Sequence, residues 1–476
     1  MQLRVGIYSP PGSFLSDGWK ILCEQEKTPF TTVDCQDCPV VVWEGAPPVW
    51  LPEYLQNGGV AVATGLLPRT LPFDDGYVCE AALEYAHLTD DARAARVGCV
   101  SSIFSGTGLG ELTLHEKRVA KNGMRPDVYP AFVHQSYGQG GCWYTGLPLS
   151  RLVTALGNTL RLTTDFDGFS ERVVAVDKDL IFQAMRAMLI RAFHQKGYPY
   201  VHLHYYPGDY QSAFAFRVDV DGIYGDNMGL LSAAAVDCGM RLSFYVNKSL
   251  CEPQQERLSE IDPMHETGNH ADVHNLYTGY EENLRNVTAC KTWLDNMELR
   301  DEAGFVAPRG MWNFALAEAL LDAGYTYSSD FGYCIFGFPL YPYRAGERLP
   351  LLQIPIDPFS TERAACQARE EGRAEPSAAD VFAYFSRSMD AQYQAGQPVF
   401  LYSHPEVFGP MAAEVLPQIK GKVDGLSIWQ TTLSDFARWW KRRDAMEFAL
   451  RYDRASETLQ IEGALDADMG IQIIKP

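Results

Sequence analysis

The segment FAFRVDVDG at 214–222, read together with HETGNHADVH at 265–274, decides how the rest of the chain is understood. Two carboxylates, Asp219 and Asp221, stand two apart at the end of an apolar run. Two histidines, His270 and His274, stand four apart about fifty residues later. A strand turns residues i and i+2 to one side, and a helical turn brings i and i+4 onto one face. The carboxylates therefore converge at a strand end, and the histidines converge if their segment is helical. One carboxylate and two imidazoles around a divalent metal, with a position left for water, form a hydrolytic site of known type.

The chain around this stretch has 476 residues, enough for two or three domains. Its 46% hydrophobic and 21% charged content is that of a globular protein with a sizeable core. A net charge of −20 argues against nucleic acid or a polyphosphate as the main partner. The N-terminal MQLRVGIYSPPGSF has no signal-peptide apolar region, and no run reaches the roughly 18 apolar residues of a membrane span. The eleven cysteines are scattered, which suits a reduced, cytoplasmic chain. Cys35 and Cys38 form a lone CxxC that leads into a strand-like PVVVW. A zinc ribbon needs a second pair and a thioredoxin motif should open a helix, so these cysteines read as structural.

Residues 1–165 read as an α/β domain of flavodoxin type. LRVGIYS, PVVVWEG and VAVATG are short apolar runs, interleaved with the amphipathic DGWKILCEQEK and PPVWLPEYLQNGG. That alternation predicts a parallel sheet. The architecture resembles the glutamine-amidotransferase fold. In that family the strand after the Gly-rich turn ends in a nucleophilic cysteine, whereas VAVATG carries Ala63 and Thr64, so no amidotransferase chemistry is expected. GTGLGE, within 104–112, lacks the GK[ST] of a phosphate loop.

Residues 166–205 supply a linking helix, DLIFQAMRAMLIRAFHQKG, and a strand, VHLHYY, leading into the next domain. Over 206–440 about seven strand–helix steps predict a closed or nearly closed β/α barrel, in which chemistry gathers at strand C-termini. Asp219, Asp221, His270, Asp330, Asp357 and His404 all follow strand-like apolar runs. Residues 441–476 alternate apolar and polar with turns between, which predicts a short β appendage.

The order DVDG, GNHADVH, APRGMWN, SSDF, YSHP resembles the polysaccharide deacetylase (NodB-homology) family, also called carbohydrate esterase family four, over about residues 206–440. The resemblance implies a distorted β/α barrel that removes acyl groups from sugars with a divalent metal. Zinc is the first expectation, with cobalt, manganese, nickel or iron as alternatives. It also implies Asp221, His270 and His274 as ligands, Asp219 as the base that deprotonates the attacking water, and His404 as the acid that protonates the leaving amine. Asp357, at the end of LLQIPID, is the candidate that orients His404. The family has adjacent aspartates where this chain has Val220 between them, which leaves open an exchange of roles between Asp219 and Asp221. It also has an arginine to hold the base where this chain has Val306, and Arg309 is the nearby arginine available instead. Asp330 and Phe331 stand where the family lines its pocket with Asp-Trp, and Trp312 is assigned to the substrate with them.

Taken singly these signals are bland. A lone histidine is more often structural than a ligand, and paired aspartates often cap turns. Five motifs in the right order are a stronger observation. The expected function is a metal-dependent hydrolase removing an N-acyl, chiefly acetyl, group from a sugar or glycoconjugate precursor. One alternative is a metal-dependent amidase on a linear, non-sugar C–N bond. The other is a catalytically inactive carbohydrate-binding or scaffold protein, for which Val306 is the argument. The expected partner is a carbohydrate or small N-acylated substrate, without nucleic acid or a membrane span, and a homo-oligomer is compatible with the sequence.

Overall fold

The computed structural model describes the chain apart from residues 66–76, 89–93, 105–112, 117–127, 163–168 and 300. The GTGLGE tract lies outside the described residues. In the N-terminal half, strands Phe30–Thr31, Val5–Tyr8, Val40–Glu44, Val60–Thr64 and Gly140–Thr145 run parallel in that spatial order, and Val133–Tyr137 closes the edge antiparallel. Their apolar runs are buried because helices cover both faces. Asp17–Glu26, Leu149–Thr154 and Lys178–Gln195 pack on one side and Leu51–Gln56 on the other.

Two features depart from the expected alternation. Between Val60–Thr64 and Val133–Tyr137 the chain forms a separate antiparallel sheet, ordered Ala95–Phe104, Tyr77–His87, Thr113–Glu116, Val128–Pro130. The long helix Lys178–Gln195 is also more than a linker. Leu180, Ile181, Met185, Met188 and Leu189 share one core with Val5, Ile7, Val40 and Val62.

The C-terminal half is a curled, open sheet of parallel strands, a distorted barrel. In spatial order it runs Leu352–Gln353, Tyr327–Ser328, Asp301–Phe305, Glu266–Asn269, Ser243–Val246, Ser212–Val220, Val399–Ser403, with Ile428–Gln430 beside the start of Ser212–Val220. Alternation along Ser212–Val220 sets the layers. Phe214, Phe216, Val218 and Val220 enter the core beneath the surrounding helices, while Ala213 and Ala215 join Tyr245, Tyr327 and Tyr402 in the barrel interior.

The C-terminal residues are tied into the body rather than appended to it. The hairpin Ala449–Asp453/Thr458–Glu462 bridges to Gln2 through Arg451, and Ile471–Ile474 pairs antiparallel with Tyr200–Leu203. The fully buried Arg443, on helix Leu433–Asp444, donates to the carbonyls of Gln25, Glu26, Leu203 and His204 and so joins the two halves. His202 is buried beside Glu26 in this joint. No helix among the described residues is long and apolar enough to cross a membrane, and the described cysteines are free thiols.

Candidate active site

Strand Ser212–Val220 carries the first part of the site. Arg217, Asp219 and Asp221 alternate with core-facing Val218 and Val220, so all three turn to the barrel interior. Val220 separates the two aspartates in sequence and thereby puts them on one side. Arg217 is fully buried and grips Asp219 at two points, with Nη2 donating to Oδ2 at 2.8 Å and Nε 2.8 Å from Oδ1. This pairing fixes the position of the carboxylate. Nη1 donates to the Ser329 carbonyl at 2.6 Å and to Ser329 Oγ at 3.2 Å, and the guanidinium lies 4.6 Å from the centroid of the Tyr402 ring. The arginine that holds Asp219 is therefore Arg217, on the same strand, and not Arg309.

His270 follows strand Glu266–Asn269, but His274 reaches the site along a loop rather than a helix. Ala271 adopts a left-handed backbone with φ 67°, and its N–H donates to Asn269 Oδ1 at 2.7 Å. Asn247 Nδ2 donates to the carbonyls of His270 and Ala271. Asn286, from helix Tyr280–Asn296, accepts from Val273 N–H and donates to the carbonyls of Val273 and Asn275, clamping the backbone on both sides of His274. These contacts bring His270 Nε2 to 3.0 Å and His274 Nε2 to 3.3 Å from Asp221 Oδ1. Val306 contributes through its backbone, since its carbonyl lies 2.8 Å from His270 Nδ1. That acceptor places the proton on Nδ1 and leaves the Nε2 lone pair facing Asp221.

His404 caps strand Val399–Ser403, its Nε2 3.7 Å from Asp221 Oδ2. Its Nδ1 meets Glu362 Oε2 at 3.2 Å and Ser360 Oγ at 3.2 Å. Asp357 is engaged elsewhere, accepting from Phe359 N–H, Tyr384 hydroxyl and Ser388 Oγ. The carboxylate beside His404 is thus Glu362, on helix Thr361–Glu370.

The electrostatics follow from this crowding. Burial alone would raise Asp221, but contact with His270 and the charges of His270, His404 and His274 hold its carboxyl well below the usual range. Burial opposes charge on His404 too, yet Asp221, Glu362, Asp219 and Glu406 keep it above the ordinary histidine value. The same balance, dominated in sign by Asp221, raises His270. Burial and the neighbouring His270 push His274 down to about 4. Burial lifts Glu406 to about 8, against the pull of His404.

Asp219, Asp221, His270, His274, Glu362 and His404 line a cavity of about 440 Å³ together with Glu171, Arg172, Arg309, Gly310, Phe331, Arg363 and Tyr402. Gly310, at φ 58°, permits the close floor of this pocket, because a Cβ there would stand 2.2 Å from the Phe331 ring. Arg309 is exposed on the wall. Two residues expected at the substrate lie behind it. Asp330 is 1% exposed and accepts from Ala307 N–H and Ser328 Oγ, with burial raising it to about 6. Trp312 packs on Phe314 and Tyr333. Both shape the turn that carries Arg309 and Gly310, and neither lines the cavity.

Asp221, His270 and His274 fit a divalent cation on the chemistry of their donors. Their ligand atoms lie within 4.8 Å of one another. A carboxylate oxygen and two imidazole nitrogens held this close repel unless positive charge sits between them, and the hydrogen bond at His270 Nδ1 aims its free nitrogen inward.

Solved structures similar to this chain include polysaccharide deacetylases. A candidate polysaccharide deacetylase from Mycobacterium smegmatis is 17% identical with a TM-score of 0.45, covering 50% of this chain and 93% of that one. The family 4 carbohydrate esterase from Streptomyces lividans, solved with acetate, is 15% identical with a TM-score of 0.33, over 46% and 92%. Agd3, a carbohydrate deacetylase, matches along 95% of this chain and 89% of its own, at 10% identity and a TM-score of 0.40. No family model matches the chain, and no curated protein does.

Sequence reasoning missed Arg217, although the alternation Arg217-Val-Asp219-Val-Asp221 that placed the aspartates together places it beside them. It also missed Glu362, Ser360, Glu171, Arg172 and the clamp Asn286. For these the signal is tertiary, since helix Thr361–Glu370, strand Ser170–Val174 and helix Tyr280–Asn296 carry no motif that points at the site.

Proposed function

We propose that this chain is a metal-dependent hydrolase that removes an N-acyl group, chiefly acetyl, from a sugar or glycoconjugate precursor. The observation that carries the reading is the three-part convergence on Asp221. The histidine pair meets Asp221 at Oδ1, the Arg217–Asp219 pair stands along the same strand, and His404, held by Glu362, approaches Asp221 Oδ2. Asp221, His270 and His274 would hold the divalent ion, with zinc the first expectation. Bound there, it would polarise the acyl oxygen and make water nucleophilic near neutral pH.

The chain's own groups do the rest. Asp219, aimed by its contacts to Arg217, takes a proton from the attacking water as oxygen bonds to the acyl carbon. His404, whose hold on a proton the surrounding carboxylates strengthen, gives that proton to the nitrogen as the C–N bond breaks. The products are a carboxylate and a free amine. Glu362 and Ser360 fix the His404 ring through Nδ1 and leave Nε2 to act. The cavity volume falls within the roughly 300–1,000 Å³ of small-ligand sites, and Phe331 and Tyr402 offer apolar faces to a sugar.

A cytoplasmic precursor is the substrate pool we infer, supported by the free thiols of the described cysteines. To the N-terminal sheet we assign no chemistry, because the strand Val60–Thr64 ends on Ala63 and Thr64 where an amidotransferase-like domain needs its nucleophile. The test is acetate release from a panel of N-acetylated sugars after reconstitution with single divalent metals, with Asp219→Asn in parallel. Turnover by the wild type that Asp219→Asn loses supports the reading. An absence of turnover across metals and substrates would overturn it.

A further inference from the structure

The cavity is not built by the barrel alone. Strand Ser170–Val174, paired with Asn158–Leu162 ahead of the barrel, contributes Glu171 and Arg172 to its wall. This wall is anchored. Val174 N–H donates to the Phe331 carbonyl at 3.0 Å, Ser170 donates from N and Oγ to Gln367 Oε1 at 2.9 and 3.2 Å, and Arg363 Nε donates to the Ser170 carbonyl at 3.3 Å. Arg363 comes from helix Thr361–Glu370 and Arg309 from the turn Pro308–Gly310.

Three guanidiniums therefore face one small cavity in a chain whose net charge is −20. None of the three is within ion-pair distance of a carboxylate among the described residues. Of the four cavity carboxylates, Asp219 is matched by Arg217 and Asp221 belongs to the cation cluster. Glu171 lies within electrostatic range of Arg363 and Arg172, and Glu362 serves His404. With a divalent ion in place the cavity would carry a positive excess, and Arg172 and Arg309 are exposed to whatever enters. Arg363 also anchors the wall at the Ser170 carbonyl, but a wall that served only neutral hydroxyls would have no use for the charges of Arg172 and Arg309, whereas guanidinium forks match carboxylate and phosphate oxygens.

Resting on the hydrolase reading above, we propose that the acylated sugar carries an anionic group, a carboxylate or a phosphate, which Arg172, Arg309 and Arg363 recognise. Substrate selection then works through charge at the cavity wall, and a neutral N-acetylhexosamine chain is a poor substrate.

The experiment compares the metal-loaded full chain on N-acetylglucosamine and its neutral trimer, on N-acetylmuramic acid, and on N-acetylglucosamine 1-phosphate. Preference for an anionic sugar by roughly tenfold or more in kcat/KM, expressed in KM and weakened by salt, is expected. In Arg172→Gln and Arg309→Gln the ratio of anionic to neutral kcat/KM should fall roughly tenfold, and the carboxylate and phosphate arms identify the group. An equal or better rate on neutral sugars, or a ratio that neither variant changes, overturns the proposal. Hydrolysis of 4-nitrophenyl acetate reports the hydrolytic machinery separately, so its loss counts against the hydrolase reading alone. Calorimetric titration with the same sugars then decides the present proposal without turnover. Saturable binding of an anionic sugar, weakened in Arg309→Gln, upholds it, and binding of neither class or of both equally refutes it.

Discussion

Replacing Arg217 with methionine keeps the length of the side chain and removes its charge. The side chain is fully buried, and Asp219 beside it is 4% exposed. Two contacts to the carboxylate at 2.8 Å and one to the Ser329 carbonyl at 2.6 Å vanish. Breaking a buried pair by removing one partner costs about 3–5 kcal/mol, because the remaining charge stays desolvated. Asp219 can escape that cost by taking up a proton, which disables it as a base. A general base contributes about 10²–10⁴-fold, so kcat/KM for acetate release should fall by at least about 10²-fold. The acid limb of the pH–rate profile should move to higher pH. Urea unfolding and acetate release at several pH values check both parts. Metal content is the control, since Arg217→Met leaves Asp221, His270 and His274 in place. A variant with wild-type kcat/KM, an unmoved acid limb and unchanged stability would refute the role given to Arg217.

The remaining predictions concern groups around this pair. Asn286→Ala releases the backbone on both sides of His274, so metal affinity measured by competition with a chelator should weaken about 10–100-fold, with little change in kcat at saturating metal. Glu362→Gln removes the carboxylate at His404 Nδ1, so the basic limb of the pH–rate profile should move to lower pH. Asp357→Asn should leave that limb where it is, and the reverse pattern would restore Asp357 as the orienter. Glu44, whose Oε2 accepts from Thr64 Oγ1 and Ser150 N–H, is pushed up by burial from 4.5 to about 7. A carboxyl raised on folding binds its proton more tightly in the native state, so stability is lost as pH rises through about 4.5 to 7, by about 3 kcal/mol in all. Glu44→Gln should flatten that slope and be more stable than wild type at pH 8 but not at pH 4, read by urea unfolding.

Much of the barrel is legible because parallel strands covered by helices must be apolar runs. FAFRVDV, SFYV and VFLYS are such runs, and chemistry sits where they end. Asp221, His270 and His404 come into view for that reason. His274 was placed by a rule that does not apply, since its approach depends on the left-handed Ala271 and on Asn286 in a later helix. That Glu362 and not Asp357 meets His404 turns on which way the short turn between them folds. Asp357 caps its own turn at Phe359 and faces Tyr384 and Ser388, which no local pattern announces. Asp330 follows the strand Tyr327–Ser328 and Trp312 the turn Pro308–Gly310 that carries wall residues, and burial keeps both off the cavity. The antiparallel sheet spanning 77–130 interrupts the N-terminal alternation, and the wall strand Ser170–Val174 reaches the cavity from outside the barrel. Both are tertiary facts.

The central claim is that a divalent cation held by Asp221, His270 and His274 drives acyl hydrolysis. Metal content and acetate release measured on the same preparations of wild type, His270→Ala and Asp221→Ala test it most directly. The account predicts one divalent ion per wild-type chain with turnover, and the loss of both together in each variant. Wild-type protein that binds no ion in stoichiometric amount, or a variant that loses its metal and still releases acetate at the wild-type rate, would contradict it.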